Sequence, residues 1–385
     1  MTKPEIPGGI FGSKKIASIS DSLLTLSEKS HTPWAIFWKN FKKNKFALTG
    51  AGILIVLYLS AIFAPFIAPY SMEAQNRTLF YNPPTRIHFV DKEGKFHIRP
   101  FVYQYYLSDP GWTKYSEDKR ITFPIKLFAK GEEYSFFGIR TSRHLFGVDS
   151  DARIFLLGSD QFGRDIFSRL LFGGRISLSV GVIGILVTFA FGLVVGGISG
   201  YFGGVVDNLA MRFSEILMSV PGLYLILAIR AAFPASIPSD KMYLIIVFIL
   251  SFIGWASLGR VIRGMVLSLK ANEFVTAAMA LGAGNLRIIM RHIIPNTMSF
   301  TIVAATVSLP GYILGEVALS FLGVGIQEPQ ASWGNMLQHA QSVRVLTSFP
   351  WVLAPGFFIF ITVLAFNFLG DGLRDALDPR KVEGR

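Results

Sequence analysis

The sequence predicts an all-α integral membrane protein with six transmembrane helices and a long extracytoplasmic insertion of mixed or β character between helices one and two. Three observations support this fold class. Of the 385 residues, 51% are hydrophobic and only 16% are charged, a balance typical of membrane proteins. Uncharged runs of bilayer length recur along the chain, and one long stretch between the first two runs has a polar, aromatic composition.

Six apolar segments predict the membrane spans, because a helix needs about 20 apolar residues to cross the bilayer core. Four of them contain no Asp, Glu, Lys or Arg: 46–68, 176–200, 242–259 and 349–370. Two are interrupted: 211–233 contains Pro221 and Arg230, and 297–326 contains Pro310 and Glu316. A buried core helix of a soluble protein is the alternative for these two.

Six spans place both ends of the chain on one side of the membrane. The basic segments before span one, between spans four and five and after span six then all lie in the cytoplasm, as the positive-inside rule requires. This topology accounts for the net charge of +12 without nucleic-acid binding. The predicted regions are a cytoplasmic segment 1–45, the first span 46–70, the insertion 71–158, a five-helix core 159–370 with a cytoplasmic loop 270–296, and a cytoplasmic tail 371–385.

The first span is too long for the core of a secretory signal and follows a long polar leader, so we interpret it as a span. Within the insertion, short strands are predicted at 89–90, 101–103 and 134–139. Residues 159–171 carry Phe162, Ile166, Arg169 and Leu170 at helical spacing. This pattern fits either an amphipathic helix on the outer membrane face or an extension of span two.

The 270–296 loop has a pattern of its own. Phe274, Ala278 and Leu281 form one apolar stripe, a glycine-rich corner follows at 282–285, and a second stripe contains Leu286, Ile289, Met290 and Ile293. We predict two short helices joined at the corner. The small side chains of Ala277, Ala278 and Gly282 would let a partner approach closely, and Pro295 would end the arm.

The spacing of Ala277-Ala278, Gly282 and Pro295 resembles the signature cytoplasmic loop of ABC-importer permeases. Thr276 stands where that family has a glutamate, and Glu273 lies one turn earlier. Further stretches resemble, in order, the second permease subunit of dipeptide and oligopeptide importers: 38–45, 157–165, 320–325, 332–336 and 367–380. Residues 71–145 match no motif of that family.

The resemblance implies the ABC-importer permease fold and uptake of peptides, with nickel complexes, opines and similar solutes as alternatives. It implies three kinds of partner besides membrane lipid: a homologous permease subunit, two ATPase subunits that bind ATP and Mg²⁺, and an extracytoplasmic solute-binding protein. It also implies a multi-pass location in the bacterial inner membrane. The residues then expected to form the ATPase-coupling loop are Glu273, Thr276, Ala277, Ala278, Gly282, Arg287, Arg291 and Pro295.

No motif for chemistry within this chain is evident. Gly94-Lys95 is followed by Phe96 and forms no phosphate-binding loop, the histidines show no metal-ligand spacing, and there is no cysteine. We therefore expect neither an enzyme nor a cofactor here. A stand-alone channel or ion-coupled secondary transporter would require several intramembrane acids, whereas only Glu215 and Glu316 occur within the predicted spans.

Three features of the spans each allow two interpretations. Glu316 and Arg230 are predicted near the outer ends of their helices, as an intramembrane ion pair or as a substrate contact. Gly192, Gly196 and Gly200 indicate close helix packing, within the subunit or against another. Three prolines are predicted inside spans, as gate kinks or as parts of the bundle: Pro221, Pro310 and Pro355.

Overall fold

Long helices form a bundle, and a strand-rich segment lies between the first two of them. The computed structural model describes residues 33–109, 114–136, 138–148, 152–234 and 237–377. Most of the predicted cytoplasmic N-terminal segment and residues 378–385 of the predicted tail lie outside this range. The described helices are α1 Pro33–Phe41, α2 Lys45–Ile62, α3 Ala64–Ile67, α4 Ile166–Phe202, α5 Gly204–Ser219, α6 Gly222–Ala231, α7 Ser239–Lys270, α8 Glu273–Ala280, α9 Asn285–Ile288, α10 Ile294–Phe321, α11 Trp333–Leu337, α12 Val343–Ser348 and α13 Ala354–Leu377.

Among the described residues, five helical stretches are long and apolar enough to cross a membrane. They are Lys45–Ile62, Ile166–Phe202, Ser239–Lys270, Asn285–Phe321 and Pro350–Leu377. The predicted span 211–233 is broken instead: α5 and α6 meet at an angle of 95°. Pro221 explains the break, since proline disfavours a helical residue before it and Val220 is accordingly extended, with ψ at 131°.

The strand-rich segment contains a four-stranded antiparallel sheet and a separate hairpin. The sheet has the order β1 His88–Val90, β2 Phe96–Leu107, β3 Tyr115–Leu127 and β6 Phe146–Val148. The hairpin pairs β4 Lys130–Phe136 with β5 Ile139–Arg143. The predicted strands at 89–90 and 101–103 lie within β1 and β2. The predicted strand 134–139 is wrong, because it crosses the hairpin turn, where Gly138 has a φ of 83° that glycine adopts without strain.

The start of α4 decides between the two interpretations of 159–171. The helix begins at Ile166 and continues without a break to Phe202. Asp165 caps it, because its carboxylate accepts a hydrogen bond of 2.8 Å from the backbone N–H of Ser168. Phe162 lies before the helix. The segment from Ile166 is therefore an extension of span two, and the separate amphipathic helix is wrong.

Glycines of α4 bring α7 into close contact. A Cβ on Gly196 would lie 2.5 Å from the carbonyl oxygen of Gly259, and Cβ atoms on Gly192 and Gly200 would meet Leu258 and Val266. The glycine repeat is therefore used for packing within this subunit. Pro310 lies inside α10 as predicted. Pro355 lies in the first turn of α13, where a backbone N–H has no partner within the helix, so the lack of one in proline costs no hydrogen bond.

Candidate functional site

The 270–296 loop connects the end of α7 to the start of α10 through two short helices and a glycine corner. Helix α8 ends at Ala280, and Gly282 adopts a φ of 78°. The N–H of Gly282 donates to Met279 O at 2.9 Å and that of Ala283 to Ala278 O at 3.0 Å, so the corner satisfies carbonyls that a helix end leaves open. The predicted pair of helices is confirmed by this geometry.

One side of the loop is packed into the bundle. Val275, Ile288 and Ile293 have no exposed surface, and Ala278 is only 8% exposed. They belong to the same apolar cluster as Val266 of α7. The prediction that Ala278 faces a partner is therefore wrong, because its methyl group is used in packing against the protein's own helices.

The opposite side of the loop exposes large apolar side chains. Leu281 is 88% exposed, Leu286 74%, Met290 61% and Phe274 40%. Ala277 lies on the exposed side as predicted, and a Cβ added to Gly282 would meet no atom within 4 Å. The predicted stripes are thus only partly right, since several of their members point away from the bundle.

The predicted polar members of the loop are also exposed: Glu273, Thr276, Arg287 and Arg291. The Thr276 hydroxyl lies 3.4 Å from Asn272 O within its own helix turn. Pro295 is exposed too, but it does not end the arm. It occupies the first turn of α10, and a π-helical turn, Ile289–Ile293, leads into that helix.

Hydrogen bonds tie both arms of the loop to the end of α4. The Lys270 ammonium donates to Tyr201 O at 2.6 Å, and the Tyr201 hydroxyl donates to Asn285 Oδ1 at 3.0 Å. Tyr201 is only 4% exposed. These residues were not predicted, because partners 69 and 84 positions apart leave no spacing pattern in the sequence.

Glu316 and Arg230 do not pair with each other. The Glu316 carboxylate, fully buried, accepts hydrogen bonds from Ser177 at 2.8 Å and Ser320 at 2.7 Å. The Arg230 guanidinium donates instead to the carbonyls of Val324 and Phe233, at 2.6 and 3.0 Å. The predicted ion pair is therefore wrong, because each group finds closer neutral partners.

An ionic network at the same end of the bundle was also missed by the sequence analysis. The Arg164 guanidinium contacts Asp160 at 2.7 Å and Glu328 at 2.6 Å, and Arg169 contacts Glu328 at 3.0 Å. His339 lies beside it, and burial lowers the pKa of its imidazole from 6.5, so the ring stays neutral near pH 7. The network fastens the 322–332 loop to the start of α4.

A large open cavity adjoins this network. Its volume is about 1140 Å³, and Arg230, Asp240 and Glu328 contribute to its lining. The part of the chain that the structure describes contains no group of three or more His, Asp or Glu side chains able to hold a metal ion. The two ends of the bundle thus differ in character: an exposed apolar loop at one, and a buried ionic network beside an open cavity at the other.

Comparisons with known proteins match nearly the whole chain. Residues 192–383 match the family model described as binding-protein-dependent transport system inner membrane component. Residues 32–84 match the N-terminal transmembrane domain of oligopeptide transport permease C. A solved amino acid ABC transporter is 19% identical and covers 54% of this chain and 94% of its own, with a TM-score of 0.41, too low to support conclusions about the fold.

Three curated relatives are similar over most of their length. The dipeptide transport system permease protein DppC of Bacillus subtilis is 33% identical over 89% of this chain and 84% of its own. The oligopeptide transport system permease protein OppC of the same organism is 32% identical over 92% of both chains. The glutathione transport system permease protein GsiD of Escherichia coli O6:K15:H31 is 34% identical over 97% of this chain and 99% of its own.

Proposed function

Because the chain belongs to the family of binding-protein-dependent transport system inner membrane components, we propose that its 270–296 loop is the surface on which ATPase subunits dock and drive transport. The chain is a permease of an ATP-binding-cassette importer for peptides. The observation that carries the docking proposal is the exposure of Leu281, Leu286 and Met290 on a loop whose other side is packed into the bundle. Contiguous exposed apolar side chains are typical of protein interaction sites.

The contacts of the loop with the bundle should make it move as a unit with the ends of the helices that it contacts. Val275 and Ile288 fix α8 and α9 to the buried cluster, while Lys270 and Asn285 hold Tyr201 at the end of α4. A displacement of the docked ATPase subunit would therefore move the ends of α4, α7 and α10 together. Close-packed interiors shift between discrete arrangements rather than deform continuously.

The topology we propose has six spans, with the bent pair α5–α6 as the third. Both ends of the chain and the 270–296 loop lie in the cytoplasm of a bacterium, the chain spans the inner membrane, and residues 71–158 lie outside. Arg260, Arg263 and Lys270 near the end of α7 support this orientation, since short cytoplasmic segments are enriched in basic residues. The proposed partners are a homologous permease subunit, two ATPase subunits that hold ATP and Mg²⁺, and a solute-binding protein outside.

Peptides are the proposed substrates because the similar proteins are named for dipeptide, oligopeptide and glutathione transport. Uptake by vesicles containing the assembled importer and its binding protein tests this. Radiolabelled dipeptide, oligopeptide or glutathione should accumulate only with ATP inside the compartment that holds the ATPase subunits. Accumulation of a nickel complex or an opine, with none of the peptides, would contradict the substrate class.

Cysteine cross-linking tests the docking surface directly, because the chain has no cysteine of its own. Leu281→Cys, with a cysteine placed on the surface of the ATPase subunit that docks there, should form a disulfide-linked pair. Val343→Cys is the matched control: Val343 is 74% exposed on α12, next to the start of α13 and thus at the other end of the bundle. Cross-linking through residue 343 but not 281 would refute the proposed docking surface.

A further inference from the structure

The β4–β5 hairpin folds back along the end of α2. Its base is fixed beyond that end: Leu145 N–H donates to Phe66 O at 2.7 Å, and His144 Nδ1 lies 2.6 Å from Ala68 O. Its tip points the other way, with the ring of Phe136 5.4 Å from that of Phe63, the residue that follows α2. The tip therefore lies beside the last apolar turn of the first span.

The hairpin tip continues an apolar surface of α2. Ile139 at the tip is 72% exposed, and Leu59 and Ile62 in the last turn of α2 are 47% and 45% exposed. Single exposed apolar residues are ordinary. Here the exposed isoleucine pairs across the hairpin with Phe136, whose ring contacts Phe63 at the end of α2. The outer face of that helix is already suited to lipid, which indicates the same surroundings for both.

A cleft separates the hairpin tip from the ends of α2 and α4. Its volume is about 440 Å³, and its lining includes Tyr58, Phe136 and Arg175. The exposed Arg175 guanidinium donates to the carbonyls of Ala61 and Ile62, both at 2.7 Å. No carboxylate of the described residues lies within 4.0 Å of it, so none of them neutralises its charge in an ion pair.

Exposed arginine and apolar side chains thus occur together beside the end of the first span. Arg140 is exposed and pairs across the hairpin with Ser135, which lines the cleft. Arginine near the end of a span typically reaches the headgroup level of the bilayer, and phosphate is a good partner for guanidinium. A protein partner would need carboxylates in an otherwise apolar surface to match both features, whereas a phospholipid offers both phosphate and acyl chains.

We propose that the β4–β5 hairpin is a membrane anchor and that its cleft binds a phospholipid. Ile139 inserts at the boundary between headgroups and acyl chains, and the lipid phosphate lies between Arg140 and Arg175. The proposal depends on α2 crossing the bilayer, but not on where the ATPase subunits dock. Insertion of this kind holds the strand-rich segment against the membrane instead of leaving it free above it.

Spin labelling of single cysteines measures the depth of the tip. The assembled importer, with cysteine-free partners, is placed in nanodiscs containing phosphatidylglycerol, and labels are attached at Ile139→Cys or Ile121→Cys. Ile121 is the matched control, since it is 62% exposed and lies on β3, six residues before its end. The label at 139 should collide more with oxygen than with a water-soluble nickel chelate, and the label at 121 should do the reverse.

Two outcomes would overturn the anchor. A label at 139 that is as accessible to the nickel chelate as the label at 121 would place the tip in water. A label at 139 shielded from both reagents would place it against a protein surface. Cross-linking at Leu281 reports separately on the docking of the ATPase subunits, so the two proposals fail independently.

Lipid retention tests the phosphate site. Native mass spectrometry of the detergent-released importer counts bound phosphatidylglycerol, and Arg140→Gln or Arg175→Gln should retain less than the unmodified protein. Lys119→Gln, which removes an exposed cation on β3, should retain the same amount. Unchanged retention in both arginine variants, or equal loss with Lys119→Gln, would refute a specific phosphate contact. If Arg175→Gln fails to fold, Arg140→Gln alone decides.

Discussion

Two neighbouring alanines of α8 allow the effects of a substitution on docking and on folding to be measured separately. Ala277 is exposed, so Ala277→Leu should change the free energy of unfolding by no more than about 0.5 kcal/mol. At a closely packed interface the three added carbons cost about 1–3 kcal/mol, which corresponds to ~5–150-fold weaker binding of the ATPase subunit. Ala278 is 8% exposed, so Ala278→Leu should instead destabilise the permease itself by about 1–3 kcal/mol.

The assay pairs binding with stability for both variants. Importers reconstituted in nanodiscs give the substrate-stimulated ATPase rate and the fraction of ATPase subunit that co-elutes, while thermal melting of the permease gives its stability. We expect Ala277→Leu to lose ATPase association at an unchanged melting temperature and Ala278→Leu to melt earlier. Normal transport by Ala277→Leu would refute the docking surface, and normal melting of Ala278→Leu would refute the burial argument.

Three further predictions concern buried groups. Burial raises the pKa of Asp165 from 3.8 to about 6, so the free energy of unfolding should fall by about 3 kcal/mol as pH rises from 4 to above 6; thermal melts of Asp165→Asn, which keeps the helix cap, should lack this fall. Glu316→Gln should fold normally. Glu316→Leu leaves two serine hydroxyls without their acceptor and should lower the free energy of unfolding by about 1–3 kcal/mol per hydroxyl. Equal melting temperatures for the two variants would contradict this. Gly196→Ala should loosen the packing of α4 on α7 and lower the melting temperature, because its Cβ would lie 2.5 Å from a backbone oxygen. Gly264→Ala, with open space around it, should be neutral or slightly stabilising. A higher melting temperature for Gly196→Ala than for Gly264→Ala would contradict this prediction.

Long uncharged runs made most of the spans predictable, because crossing a bilayer fixes both length and composition. A kink at Pro221 was one of two interpretations of the sequence, but the size of the 95° bend between α5 and α6 was not predictable, since the apolar composition continues on both sides of Pro221. A proline can kink a helix or end it, and the surrounding helices decide which. The strand predicted at 134–139 failed for a similar reason, because residues with strand propensity occur on both sides of the turn at Gly138.

Within the 270–296 loop the sequence predicted the elements but not the buried face. Apolar side chains occur all around α8, for example Phe274, Val275 and Met279, so periodicity alone does not select the face that packs. Contacts with α7 select Val275 and Ala278. The pairing of Glu316 with Arg230 was inferred because both were predicted near the outer ends of their helices. The fold instead brings Ser177, 139 positions away from Glu316, to the carboxylate.

Helix α10 joins the two ends of the molecule. It starts from the π turn Ile289–Ile293 of the 270–296 loop, and near its far end Glu316 accepts hydrogen bonds from Ser177 and Ser320. Those hydroxyls in turn accept hydrogen bonds from the N–H groups of Trp333 and Ile326, at 3.1 and 2.9 Å. A helix transmits an axial shift along its length, so movement imposed on the loop should reach the 322–332 segment through these contacts. Since Arg164 and Arg169 hold Glu328 of that segment to the start of α4, relative motion of α4 and α10 should strain this ionic network first.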